Sequence, residues 1–200
     1  MNREAINIVN ANEGQDDSSL IRSFQKGNRE SFDLLVMRYQ DRIFNICHRF
    51  LGDHQEAEDL SQDIFVKVFR SLGRFRFESS FYTWLYRIAV NSCKNRVRSS
   101  SFKKAGKNLS LDHDLGTELA GKGDEKDNPS VYLEKKEQSR KIQEALNDLH
   151  PGQRAMIILR DIEGMSYEEI AGVTGKRLGT VKSGLSRARL MLNKRLEGVL

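Results

Sequence analysis

Three carboxylates, Glu56, Asp59 and Asp63, stand at i, i+3 and i+7 with Glu58 and Gln62 beside them, a spacing that places them together on a helix surface. Paired carboxylates are the residues that bind a metal ion or act as acid and base. Neither a histidine nor a substrate-holding glycine loop accompanies these. Acids early in a helix that ends in Lys67 and Arg70 are also what the helix dipole favours. The pattern therefore points to a docking face for a basic partner, with a plainly solvated face as the alternative. The two cysteines, Cys47 and Cys93, cannot form a disulfide framework, and their apolar helical neighbours make them buried thiols rather than a redox pair. The histidines are scattered without zinc spacing. No metal, cofactor or catalytic residue is expected.

A second group of residues has the chemistry of nucleic-acid binding. Arg74 and Arg76 alternate with Phe75 and Phe77, outside any helical period. Single-stranded nucleic acid is held in this way, with flat side chains stacking on bases and cations following phosphates. A helix is expected from about Ser80, with Phe81, Trp84, Leu85 and Ile88 on one face and Tyr82, Tyr86 and Ala89 widening it. Most of this helix is then core. A narrow polar stripe remains, made of Thr83, Arg87, Asn91 and Lys94 and continuing into Asn95, Arg96 and Arg98.

The chain that must position these groups has 200 residues, of which 38% are hydrophobic and 30% charged. It is long enough for one or two domains with a real core. No apolar run reaches membrane-spanning length, and the N-terminus lacks the apolar segment of a signal peptide, so a cytoplasmic location is expected. The net charge of +5 is unevenly spread, with six basic residues and no acid from Lys94 to Lys107, then six acids against two lysines from Asp112 to Asp127. Blocks of this kind suggest polyanion binding by one segment and a different task for the next.

Periodicity divides the chain. Residues 1–17 read as a disordered tail, 18–98 as a helical domain, 99–130 as a flexible linker and 131–200 as a second helical domain. The fold class is therefore all-α. In the first domain Asp53 and Glu56 resemble a capping box. The linker has four glycines, one proline and no apolar period, and a linker so polar makes separately moving domains the default. In the second, Pro151 starts a helix running through Met156, Leu159 and Ile162 to Gly164. Ser166 and Glu169 form a capping box, Met165 staples onto Ile170, Gly175 ends the helix, and Thr180 is expected to cap the next. Residues 166–190 thus form a helix-turn-helix. Its second helix turns Val181, Leu185, Ala188 and Leu192 inward and Lys182, Ser183, Ser186, Arg187 and Arg189 outward, residue types suited to base edges and phosphates in a major groove. Gly184 is costly in mid-helix; it either permits close approach to DNA or is merely tolerated.

Four runs in this order, SFDLLVMRYQ at 31–40, EAEDLSQDIF at 56–65, FYTWLYRIAVN at 81–91 and GMSYEEIA at 164–171 with GTVKS at 179–183, make the chain resemble the bacterial extracytoplasmic-function (ECF) sigma factors of the sigma-E type. The resemblance implies a promoter-specificity subunit that binds core RNA polymerase, directs it to promoters and helps open the duplex in an envelope or stress response. It implies docking of Glu56, Asp59, Gln62 and Asp63 on the clamp helices of the beta-prime subunit, with a further contact on the beta flap. The loop holding Phe75, Arg76, Phe77, Ser79 and Ser80 would capture a flipped base of the minus-ten element. Arg87, Asn91 and Lys94 would line its approach. Lys182, Ser183, Ser186 and Arg187 would read the minus-thirty-five duplex. The acidic linker would thread the RNA exit channel. An anti-sigma factor, commonly membrane-anchored, is the expected regulator, without membrane insertion of this chain itself. Phe77 stands where the family usually has glycine, and Gly184 where arginine is common. The rival readings are a stand-alone helix-turn-helix regulator, which would bind duplex without polymerase and usually as a dimer, and a metal-dependent nuclease built on Glu56, Asp59 and Asp63.

Overall fold

A computed structural model describes residues 16–106 and 129–197. Residues 1–15 and 107–128, which hold most of the expected tail and linker, lie outside the described residues. Among the described residues all regular structure is helical.

The first four helices begin and end at local signals. In α1 (Asp17–Gln25) the Asp16 carboxylate accepts from Ser19 N at 2.8 Å, which satisfies one of the donors left open at a helix start. Helix α2 (Glu30–Leu51) buries Phe32, Leu35, Tyr39, Ile43, Ile46, Cys47 and Phe50 along one face. It stops at Gly52, whose φ of 76° is left-handed and whose N–H bonds back to the His48 carbonyl at 2.8 Å; glycine takes that conformation without a Cβ clash. Asp53 then caps α3 (His54–Leu72) by accepting from Glu56 N at 2.7 Å. The apolar face of α3, Ala57, Leu60, Ile64, Val68 and Leu72, is buried as the periodicity requires. Helix α4 (Phe81–Gly106) starts where Ser80 Oγ accepts from Thr83 N at 3.1 Å, as expected, and runs eight residues beyond Arg98 into the segment read as linker. Helices α2 and α3 pack on each other, α1 leans on α2, and α4 crosses both.

The C-terminal group holds α5 (Pro129–Asn147), α6 (Pro151–Ile157), α7 (Tyr167–Thr174) and α8 (Leu178–Leu196). His150 Nδ1 accepts from Gly152 N ahead of α6. The helix from Pro151 does not run evenly to Gly164: from Ile158 to Ile162 it widens into a π-helical turn. This turn rotates Ile162, expected to face inward, to 44% exposure. The capping box at Ser166 and Glu169 is complete in both directions, at 3.1 and 2.7 Å. Gly175 ends α7 with φ 67°.

One expectation for the second helix of the pair requires correction. Thr180 is not its cap: α8 begins at Leu178 behind an extended Arg177, so Thr180 lies inside its first turn and the connection is shorter by three residues. Gly184, left open between close approach to DNA and mere tolerance, lies on the buried side of α8, and a Cβ added there would collide with the Met156 methyl and come within 3.1 Å of its sulfur. The glycine lets α8 sit close to α6, so an arginine here would enter the core before it reached a phosphate.

The two helical groups do not stand apart. One continuous apolar cluster runs through both, with α4 packed on α7 and α6, and α2 on α5. Gln143 Nε2 of α5 donates to the Arg49 carbonyl at 3.1 Å, and the buried Arg154 guanidinium of α6 donates to the carbonyls of Phe50 and Asn147 at 2.5 Å each.

The Gly184 assignment is checked by urea unfolding. Gly184→Ala should change stability by no more than about 1 kcal/mol, because its gain in helix propensity is offset by displacement of the flexible Met156. Gly184→Leu should cost about 1–3 kcal/mol by overpacking. An unchanged midpoint for leucine would place the residue at the surface.

Candidate nucleic-acid and protein interfaces

The acidic face is where the spacing put it. Asp59, Gln62 and Asp63 are exposed on α3 and Glu56 is half-buried, while Ala57, Leu60 and Ile64 fill the opposite face. Two of the acids have neighbours of their own. Gln55 Nε2 donates to Asp59 at 3.4 Å, and Asp63 forms an exposed 3.5 Å pair with Arg96 of α4. A surface pair of this kind is weak and readily exchanged for another cation. No group of three His, Cys, Asp or Glu residues that could hold a metal ion occurs among the described residues.

The loop between α3 and α4 splits the residues predicted for it. Phe75 is turned inward, 8% exposed, with ring centroids 5.0 Å from Phe77, 5.1 Å from Trp84 and 6.3 Å from Phe81. Its ring forms one wall of a cleft of about 500 Å³, whose other lining residues are Ser71, Arg74, Arg76, Glu78, Ser79, Trp84 and Arg87. Of the residues predicted for the loop and its approach, the structure brings Phe75, Arg76, Ser79 and Arg87 to this cleft. Phe77 and Ser80 do not line it: Ser80 caps α4, and Phe77 faces the Arg22 guanidinium, 4.6 Å from its ring centroid. Phe77 has φ 59°, the positive value that only this non-glycine residue takes among those described, at a cost of about 1 kcal/mol or more.

The sequence reading missed Ser71, Glu78 and Trp84 as lining residues. Ser71 and Arg74 sit three apart at the end of α3, and Trp84 lies one turn beyond Ser80 on α4. Helical spacing from the loop edges would have found Ser71 and Trp84. Glu78 carries no periodic signal.

The polar stripe on α4 is not open to solvent along its length. Arg87 and Asn91 are exposed, yet Arg87 Nη2 donates to the Gly172 carbonyl of α7 at 2.8 Å, and a Cβ on Gly172 would stand 3.2 Å from the half-buried Thr83's methyl. Burial lowers the Lys94 pKa, and the neighbouring Lys176 lowers it further. Beside this contact Tyr86 Oη donates to Glu163 at 2.8 Å, with burial and that carboxylate raising the phenol's pKa. Arg87 thus belongs to both the cleft and the contact between the two helical groups.

On α8, Lys182, Ser183, Ser186 and Arg187 are exposed, opposite the buried Val181, Gly184, Leu185 and Ala188. Ser183 Oγ donates to the Thr180 carbonyl, and Arg187 Nε to that of Ser183, both at 3.3 Å. Arg189, read as outward, has an exposed side chain that pairs with Asp161 of the π turn at the surface. Arg195 pairs with Asp148 at 3.0 Å; both pairs are exposed and contribute little to stability. The Cys47 and Cys93 sulfurs lie 3.9 Å apart in the core, where the Cys47 contact and burial raise the Cys93 pKa; both are buried packing residues. No helix among the described residues is long and apolar enough to cross a membrane.

Comparison with known proteins matches residues 35–102 to the family described as sigma-70 region 2 and residues 139–192 to sigma-70 region 4. The chain is 35% identical to the RNA polymerase sigma-H factor of Pseudomonas aeruginosa over 93% of its own length and 96% of that protein. It is 33% identical to the ECF RNA polymerase sigma-E factor of Haemophilus influenzae over 92% and 97%. Among solved structures it resembles the sigma factor RpoE of Bartonella quintana, in complex with the anti-sigma factor NepR, with a TM-score of 0.66, 26% identity and coverage of 84% of this chain and 98% of that one.

The α4 to α7 contact is testable by crosslinking. A Thr83→Cys and Gly172→Cys pair should close to a disulfide under mild oxidation, seen as altered migration on a non-reducing gel. Cys47 and Cys93, both buried, should not compete. Absence of the crosslink would mean that α7 does not rest on α4 in solution.

Proposed function

This chain belongs to the ECF sigma factors of bacterial RNA polymerase, and from that membership we propose how its surfaces divide the work. The acidic face of α3, with Glu56, Asp59, Gln62 and Asp63, docks on the beta-prime clamp helices. The C-terminal group adds a contact on the beta flap. The cleft beside the start of α4 takes a base extruded from the minus-ten strand, and the outward side of α8 reads the minus-thirty-five duplex through Lys182, Ser183, Ser186 and Arg187. The chain has no chemistry of its own in this reading. It works in the cytoplasm, in an envelope or stress response, and answers to an anti-sigma factor of the kind seen with RpoE of Bartonella quintana.

The observation that carries the reading is the cleft, where Phe75 and Trp84 stand with Arg74, Arg76 and Arg87 around about 500 Å³. Unstacking a base costs a few kcal/mol, and a site offering a flat apolar wall, polar edges and cations for the flanking phosphates returns it. In the arrangement described, α7 occupies part of the approach, because Arg87 is held by Gly172 and Thr83 lies under that glycine. A strand running along Thr83, Arg87, Asn91 and Lys94 therefore requires α7 to leave α4. The crosslinked Thr83→Cys and Gly172→Cys variant should accordingly initiate only after reduction.

Two variants separate the surfaces. Arg187→Ala should weaken recognition of the upstream duplex element by about 1–3 kcal/mol and leave polymerase binding unchanged, measured by run-off initiation on promoters with and without that element. Equal loss on a pre-melted template lacking the element would contradict the assignment. Asp59→Lys with Asp63→Lys should abolish co-purification with core polymerase at any promoter. Retained co-purification would move the docking face elsewhere.

A further inference from the structure

Phe77 is the one position in the loop where the backbone conformation and the residue type disagree. Its φ of 59° suits glycine, yet it carries a large side chain, so the surroundings must hold the conformation. The holding groups come from α1. The Arg22 guanidinium lies over the Phe77 ring at 4.6 Å, a favourable placement of a cation on an aromatic face, and Phe75 meets the same ring edge-on at 5.0 Å and 66°. One turn further along α1, Gln25 Nε2 donates to the carbonyls of Phe75 at 2.9 Å and Leu72 at 3.2 Å. Residues on both sides of Phe77, namely Phe75, Arg76, Glu78 and Ser79, line the cleft while Phe77 itself does not. The side chain that is least at home in this loop is therefore the one turned away from the cleft and onto α1.

We infer that Arg22, Gln25 and Phe77 form a clamp through which α1 fixes the shape of the base-binding cleft, making them positioning residues for base selection. The inference rests on the reading of that cleft as a base pocket. A glycine loop could adopt the same path but also many others; a phenylalanine tied to α1 holds the cleft walls in one arrangement before any base arrives. A pocket set in advance discriminates among bases, because a wrong base cannot be accommodated by moving the wall and leaves buried polar groups unpaired. Gln25 restrains the entry to the loop and Phe77 its middle.

The test uses the full chain reconstituted with core polymerase on templates pre-melted at the minus-ten element, each of the four bases being placed in turn at every unpaired position. The quantity read is the ratio of initiation between the best and the worst base. Phe77→Gly and Arg22→Ala should each reduce that ratio by about tenfold, the discrimination that one base-edge contact supplies, while Arg22→Lys, which keeps a cation over the ring, should restore most of it. Phe77→Gly relieves backbone strain, so it keeps the experiment decisive if another variant folds poorly. Wild-type discrimination retained in both Phe77→Gly and Arg22→Ala would overturn the clamp and leave the pocket standing. A wild-type protein that initiates normally with no base preference at any unpaired position would overturn the pocket reading, and the clamp with it.

Discussion

A buried guanidinium sets how the two halves of this molecule meet. Arg154 is 5% exposed, and the carbonyls it serves, those of Phe50 and Asn147, lie in the last turns of α2 and α5. Cations are favoured at helix C-termini, where unpaired carbonyls concentrate negative potential, and hydrogen bonds made by a charged donor are stronger than neutral ones. Against this stands the cost of dehydration, which lowers the Arg154 pKa and leaves Nε without a partner. Two carbonyls offset that cost less completely than a carboxylate would. The seam is therefore specific in geometry while gaining little net stability from its central ion.

The rest of the seam has the same character. Tyr86 with Glu163 and Arg87 with Gly172 are single hydrogen bonds at its edge, and Gln143 reaches across to the Arg49 carbonyl beside Gly52. Each forms only when the apolar faces beneath are in contact. The polar groups thus set the register of two helical groups whose attraction comes from the shared apolar cluster. Arg87 belongs both to this contact and to the lining of the cleft, and one guanidinium cannot serve a carbonyl of α7 and a ligand in the cleft in the same geometry.

Within the first group, the aromatic residues serve as core and as cleft lining together. Phe75 is buried, yet one side of its ring forms a wall of the cleft. Trp84 is half-buried and meets it at a tilt of 57°. A base entering there would extend an aromatic cluster that already exists, so the protein need not reorder side chains to receive it. The acidic face of α3 needs no such preparation, because it is simply the side of the helix left over when Ala57, Leu60, Ile64, Val68 and Leu72 are buried.

The amino-acid sequence determined the local structure of this protein. Its 3.6-residue periods marked the buried faces of α2, α3, α4 and α8, Asp53, Ser80 and Ser166 marked helix starts, Gly52 and Gly175 marked ends, and charge placement marked the exposed acidic and basic stripes. These are legible because each depends on residues within about one turn of one another. What packs against each face was decided only by the tertiary structure. Gly184 faces Met156, Arg189 faces Asp161, and Arg87 meets a carbonyl 85 residues away. The π turn that exposes Ile162 and the extended Arg177 that begins α8 early belong with these. A periodic pattern states that a face is covered and is silent on the partner, because apolar burial is non-directional, whereas the contacts that distinguish one partner from another join residues far apart in the chain.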